Sequence, residues 1–161
     1  MRRSGFKKKN NDKNKELAEQ YGVKMTYWRY AGLKGIYWNL LSQYVRRRDF
    51  EKYGTCISCG KLFGDWHDAQ GGHYAPAGNC GFSLLFDPKN IHAECPSCNN
   101  PRISPGKLIT YRANLVKRYG EAWVKKLDAR YYSKVMMKEW TQREYNEEIL
   151  KLQKKLQKMP G

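Results

Sequence analysis

The sequence predicts an α+β protein: a small cysteine-clamped core of loops and short strands, flanked by N- and C-terminal helices. Three observations carry this. Two Cys-x-x-Cys pairs, Cys56/Cys59 and Cys95/Cys98, are separated by 35 residues. Seven glycines and two prolines punctuate residues 54–95, which is the composition of turns and short strands. On both sides of that stretch apolar residues recur at three and four, the period of one helix face.

Each element follows in order. Residues 1–24 are rich in Lys and Asn and nearly free of apolar periodicity. They read as a flexible basic arm, with helix only around Glu16–Tyr21. Residues 25–53 form an N-terminal helical segment, in which Leu33, Ile36, Tyr37, Leu40, Leu41, Tyr44 and Val45 mark one face of a helix from about Leu33 to Glu51. It ends in Arg46-Arg47-Arg48, three consecutive charges that cannot share a face. They are either a solvated helix end favoured by the macrodipole or a phosphate clamp. Residues 54–106 are the clamped core. Ala69–Ala75 and Phe82–Phe86 are the expected strands, joined by the turn-rich AGNCG, with a short helix from Cys95 and breaks at Pro101 and Pro105.

Residues 107–161 are helical again. Lys107–Tyr119 is amphipathic through Leu108, Tyr111, Leu115 and Tyr119, and stops at Gly120, a natural C-cap. A short helix covers Glu121–Asp128. The last helix starts at Ser133 or Thr141 and runs to Lys158. Its Tyr145, Ile149, Leu152, Leu156 and Met159 step by 4, 3, 4 and 3, a seam that packs either on its own domain or on a second copy.

The chain carries 31 Lys and Arg against 15 Asp and Glu, a net charge of +16. Residues 1–55 hold 14 basic and 5 acidic residues, so +9; residues 56–119 carry +3 and residues 120–161 carry +4. Such an excess repels itself unless a polyanion is the usual partner, and nucleic acid is the expected one. An anionic membrane is the alternative, but it needs an amphipathic or apolar anchor; no run of 18 apolar residues exists, so nothing is expected to span a bilayer, and no membrane partner is expected. The start, MRRSGFKKKNNDKNK, lacks the apolar stretch of a secretory signal. A reducing compartment follows, with thiols instead of disulfides. Four thiolates at this paired spacing complete a closed tetrahedral shell, so Cys56, Cys59, Cys95 and Cys98 are expected to bind one structural zinc. Cys80 is left over and reads as a half-buried small residue.

The insert between the pairs holds His73, in QGGHYAP; Asn90 stands five residues before Cys95, and Asn99 directly follows Cys98. The order His73, Asn90, Cys-x-x-Cys, Asn99 resembles the HNH, or ββα-metal, nuclease family. The segments YVRRRDFEKYGTCISCG, GGHY, NIHAECPSCN and GKLITYRANLVKRYGEAWVKKLD further resemble the bacteriophage recombination proteins called NinG or Rap, over about residues 36–128. This resemblance implies a zinc-stabilised ββα-metal core and a metal-dependent endonuclease for branched recombination intermediates such as Holliday junctions. It also implies a place in the cytoplasm of an infected bacterial host.

The chemistry of such a site assigns roles. His73 is the expected general base, since an imidazole titrates near neutrality. Its other ring nitrogen needs an acceptor, either a backbone carbonyl or Asn90. Mg²⁺ or Mn²⁺ would bind the scissile phosphate and the leaving oxygen, and Asn99 offers the hard oxygen such ions prefer. A second protein ligand is less evident, because Gly72 stands where the resemblance implies an acidic residue or histidine. Asp68 is the candidate, against an ordinary turn carboxylate. His92 either faces the site or caps the knuckle by a hydrogen bond. Arg102 and Lys107 join Arg46, Arg47 and Arg48 as expected phosphate contacts. The alternative function is a non-catalytic, zinc-stabilised DNA-binding accessory protein of recombination. A junction resolvase needs two active sites, hence a homodimer.

Overall fold

A computed structural model describes residues 4–24, 29–100, 107–133 and 138–160, with side chains from Asp12 onward. It divides into two units: residues 1–41 with 140–161, and residues 42–139. The larger unit therefore reaches beyond the expected core of 54–106 and takes in the next two helices.

The first unit contains α1 (Ser4–Gln20), the first turns of α2 (Gly32–Tyr53) and α6 (Gln142–Gln157). The arm expected to be flexible is thus helical over most of its length. Its C-terminal end is anchored: Ala18 and Val23 are buried, and Asn14 Oδ1 accepts from Gly32 N at 3.1 Å. Tyr21 donates to Asn146 Oδ1 at 2.5 Å and accepts from Gln153 Nε2 at its carbonyl. Helices gain most of their stability from such packing and little from propensity. Thr141 and Glu144 form a capping box at the start of α6. The seam residues Tyr145, Ile149, Leu152 and Leu156 are all buried in the chain, and Tyr145 meets Tyr37 and Trp140 edge-on. The seam packs on its own domain.

The second unit is built around a two-stranded antiparallel ribbon, β1 (Gln70–His73) and β2 (Ile91–Glu94), with Gln70 opposite Glu94, Gly71 opposite Ala93, Gly72 opposite His92 and His73 opposite Ile91. Only one of the two expected strands is at its predicted place. Phe82–Leu85 is one turn of helix, α3, and the second strand comes later. The backbone bonds show why: Leu84 N and Leu85 N both donate back to Gly81 O, which closes a helical turn that an extended strand does not make. Nor does a helix follow Cys95; residues 96–99 form turns.

The ribbon is covered by helices. From α2, Asp49, fully buried, accepts from Ala93 N at 2.8 Å. Arg48 pairs with Asp49 and donates to the carbonyls of Pro88 and Ile91, each at 2.9 Å. From α4 (Lys107–Tyr119), the Tyr111 hydroxyl donates to Gly72 O at 3.0 Å, and Asn114 donates to Ile57 O. Gly120, with φ of 87°, ends α4 as expected. Next, α5 (Glu121–Tyr132) is tied to α4 by Arg112, which bridges Glu121 and Asp128. These bonds draw α4 and α5 into the core unit.

Candidate functional site

The cysteine clamp forms. The sulfurs of Cys56, Cys59, Cys95 and Cys98 lie within 4.8 Å of one another, with Cys59 Sγ 3.8 Å from Cys95 Sγ. Each knuckle is shaped by its own backbone. Gly60 N donates to Cys56 O in the first, helped by a φ of 74° at Gly60; Cys98 N and Asn99 N both donate to Cys95 O in the second. The knuckles meet because Ile57 N donates to Ala93 O, the residue before the last of β2. Burial pushes the Cys56 thiol up to about 11. Four sulfurs in this arrangement suit a metal such as zinc, whose charge would hold them as thiolates. Cys80 is buried elsewhere and donates to Gly81 O.

His73 is half-buried, and its Nε2 lies 2.9 Å from Leu85 O. A carbonyl only accepts, so Nε2 carries the proton and Nδ1 is the basic nitrogen. Of the two acceptors expected for the ring, the backbone carbonyl is the one used. Asn90 does something else. It is fully buried; Oδ1 accepts from Ala75 N at 2.8 Å, and Nδ2 donates to Ala75 O and Leu84 O, both at 3.1 Å. Through these bonds Asn90 engages both ends of its amide with Ala75 and Leu84. It holds α3 against the end of β1, and thereby the carbonyl that orients His73.

Asn99 donates through Nδ2 to Gln70 Oε1 at 2.9 Å. That ties the second knuckle to the start of β1, three residues before His73, through the amide nitrogen, and the amide oxygen is a donor of the hard type. Asp68 is engaged in its own turn. It closes a 3-10 turn at Trp66–Asp68, where its Oδ2 accepts from Gly64 N and Asp65 N. The proposed ligand is an exposed turn cap, because a carboxylate three residues after Asp65 completes a capping box.

His92 is buried. Its Nδ1 is 3.1 Å from Tyr111 Oη and its Nε2 is 3.2 Å from Tyr119 Oη. Tyr111 gives its proton to Gly72 O, so it accepts from Nδ1–H, and Tyr119 donates to Nε2. Burial lowers the imidazole to about 3, which keeps it neutral. Of the two readings of His92, the structural hydrogen bond holds, with α4 as its partner instead of the knuckle.

The arginine run is divided among jobs in the fold. Arg46 donates to Ser42 O and Ala69 O and lies 4.8 Å over Trp66, while Arg47 lies 5.9 Å from the same ring. Arg48 is locked to Asp49 and β2. Between them the three arginines are engaged with Trp66, Asp49 and backbone carbonyls of the fold. Lys107 donates to Ser97 O of the second knuckle, and Arg102 lies outside the described residues.

Glu94 is the group the sequence reading missed. It is 4 % exposed, Ser58 Oγ donates to its Oε1 at 2.5 Å, and burial raises its carboxyl to about 7, opposed by Ser58 and Lys107. Asp49 was also missed. An acidic residue inside an apolar stripe of β2 or α2 was the available signal for both.

Comparison with known proteins completes the description. The family described as Bacteriophage Lambda NinG protein matches residues 2–160. Protein ninG of Salmonella phage P22 is 36 % identical over 89 residues, 55 % of this chain and 40 % of that protein. Protein ninG of Escherichia phage 933W is 34 % identical over 91 residues, 56 % of this chain and 42 % of its own length. Protein ninG of Escherichia phage lambda is 33 % identical over 91 residues, 56 % and 41 %. The chain thus spans about two fifths of the length of the curated relatives it matches. No solved structure matches. Among the described residues, no helix is long and apolar enough to cross a membrane.

Proposed function

The chain belongs to the bacteriophage Lambda NinG family, and on that premise we propose that it is a structure-specific, metal-dependent DNA endonuclease of the HNH type. Its substrate class is branched DNA of the Holliday-junction kind, and its setting is phage recombination in the host cytoplasm. The observation that carries the reading is the fixed ring of His73. Leu85 O accepts the hydrogen bond from Nε2–H, so Nδ1 is the atom that removes a proton from the attacking water. Asn90 supports this indirectly by holding α3, and the cysteine clamp, with zinc bound, rigidifies the ribbon from its other end. Bound Mg²⁺ or Mn²⁺ would supply charge neutralisation at the scissile phosphate and the leaving oxygen. Asn99, whose nitrogen is committed to Gln70, would hold it through its oxygen. The net charge of +16 favours a polyanionic substrate.

The test uses the zinc-loaded chain with a four-way junction, a flap and a linear duplex, in Mg²⁺, Mn²⁺ or EDTA. Metal-dependent junction cleavage is expected. His73→Ala should abolish it while junction affinity stays within about twofold. Equal cutting by His73→Ala would remove the base. The binding-only reading is favoured by Asp68 being spent as a turn cap; tight binding without cutting in any metal would establish it.

A further inference from the structure

We infer that Glu94 supplies the carboxylate ligand for the divalent cation, from the strand opposite the one where a carboxylate was sought. Strand alternation puts Gln70, Gly72, His92 and Glu94 on one face of the ribbon. At the His92 end this face is filled by Tyr111 and Tyr119. At the Glu94 end the Glu94 side chain leans diagonally over Gly72. A Cβ built on Gly72 would lie 1.8 Å from Glu94 Oε2, 2.6 Å from Cδ and 2.8 Å from Cγ. The carboxylate thus occupies the volume that a side chain at position 72 would fill. Gly72 has no positive φ, so its backbone does not require glycine; the room for Glu94 does.

The neighbours suit a hard cation. Gln70 is directly opposite Glu94, and Asn99 is hydrogen-bonded to Gln70. This brings the Glu94 carboxylate and two side-chain amide oxygens to one end of the ribbon, on the neighbouring second knuckle and both strands. Oxygen donors of this kind select Mg²⁺ or Mn²⁺ over softer metals. Ser58 fixes the carboxylate through Oε1, as an outer hydrogen bond orients a ligand. His73 follows Gly72 on β1 and is paired with Ile91, so its side chain lies on the other face of the ribbon from Glu94. The inference rests on the nuclease reading for its catalytic meaning, and on the ribbon alone for cation binding.

The experiment measures Mn²⁺ binding to the zinc-loaded chain by the loss of the free Mn²⁺ electron-paramagnetic-resonance signal, beside junction cleavage. The wild type should bind one Mn²⁺ per chain. Glu94→Gln should weaken binding at least tenfold and cut only at raised Mn²⁺, with zinc content unchanged; Asp68→Asn should behave as wild type. The double variant Gly72→Asp/Glu94→Ala returns a carboxylate to the same volume from β1, and it should recover Mn²⁺ binding that Glu94→Ala alone lacks. A merely structural Glu94 would not give that rescue. Wild-type Mn²⁺ affinity in Glu94→Gln, or no Mn²⁺ binding by the wild type, overturns the inference. If Glu94→Gln cuts normally while His73→Ala does not, the inference fails and the nuclease reading stands. If nothing cuts but Mn²⁺ binding follows Glu94, the nuclease reading fails and the cation site stands.

Discussion

Gly72→Ala should destabilise the protein by about 1.5 kcal/mol, and removing the Glu94 side chain should abolish that penalty. The added methyl would sit 1.8 Å from Glu94 Oε2 and 2.6 Å from Cδ, where ordinary contacts between heavy atoms are about 3.5–4 Å. Something must move by more than 1 Å. The strand backbone is held by the β1–β2 pairing and by Tyr111 on Gly72 O, so Glu94 is what yields. A surface glutamate would swing away at little expense. Glu94 is 4 % exposed and tied to Ser58. Displacing it loses a hydrogen bond to a carboxyl group worth about 1.5–3 kcal/mol, partly offset by the smaller entropy cost of ordering alanine in place of glycine, about 0.5–1 kcal/mol. The assay is urea denaturation of four zinc-loaded proteins: wild type, Gly72→Ala, Glu94→Ala and the double variant. A double-mutant cycle isolates the pair. The expected coupling is about 2 kcal/mol, with Gly72→Ala neutral or slightly stabilising in the Glu94→Ala background. Equal costs of Gly72→Ala in both backgrounds would refute the reasoning.

Two further outcomes are expected. His92 is held at about 3 by burial, below its unfolded value near 6.5, so the unfolded chain takes up its proton first. The stability it contributes is complete above about pH 6.5 and falls by about 1.4 kcal/mol per unit as pH drops from there toward 3; in urea melts at pH 6 and 5, His92→Gln should show a slope about one proton smaller than wild type, and equal slopes would contradict its neutral burial. Asp49→Ala strands the largely buried Arg48 and the Ala93 amide and should cost about 3 kcal/mol, read from the shift in the urea midpoint; a loss under about 1 kcal/mol would mean that α2 is not pinned to β2 in this way.

Much of the design is legible in the residues because its physics is local. Helix faces repeat every three or four positions, and the periods at Leu33–Val45, Lys107–Tyr119 and Tyr145–Leu156 lead to α2, α4 and α6 with ends close to those expected. A Cys-x-x-Cys turn needs only its own backbone to present two sulfurs, so the clamp could be read from spacing. The carbonyl that orients His73 was one of two acceptors its ring could use. Where the reading went astray, the deciding partner is distant. Phe82–Phe86 looks like a strand until Asn90 and Arg130 claim the carbonyls of Leu84 and Ser83. Asp68 looks like a ligand until its turn closes on it. The partners of Arg46 and Arg48 at Ala69, Pro88 and Ile91 are likewise distant in sequence.

Position 72 shows the division most clearly. The sequence by itself determined that a histidine, two asparagines and four cysteines stand in a significant order, and that a glycine occupies the place beside the histidine. What fills the space over that glycine is a matter of cross-strand register. Gln70 pairs with Glu94 and Gly72 with His92, so the Glu94 side chain reaches the absent side chain's volume along a diagonal. A slip of one residue would send Glu94 to the other face. That register is set by Asp49 on Ala93, by Tyr111 on Gly72 and by the knuckles that β2 runs into. Those contacts exist only once the chain has folded around them, which is why the tertiary structure alone decided where the carboxylate is.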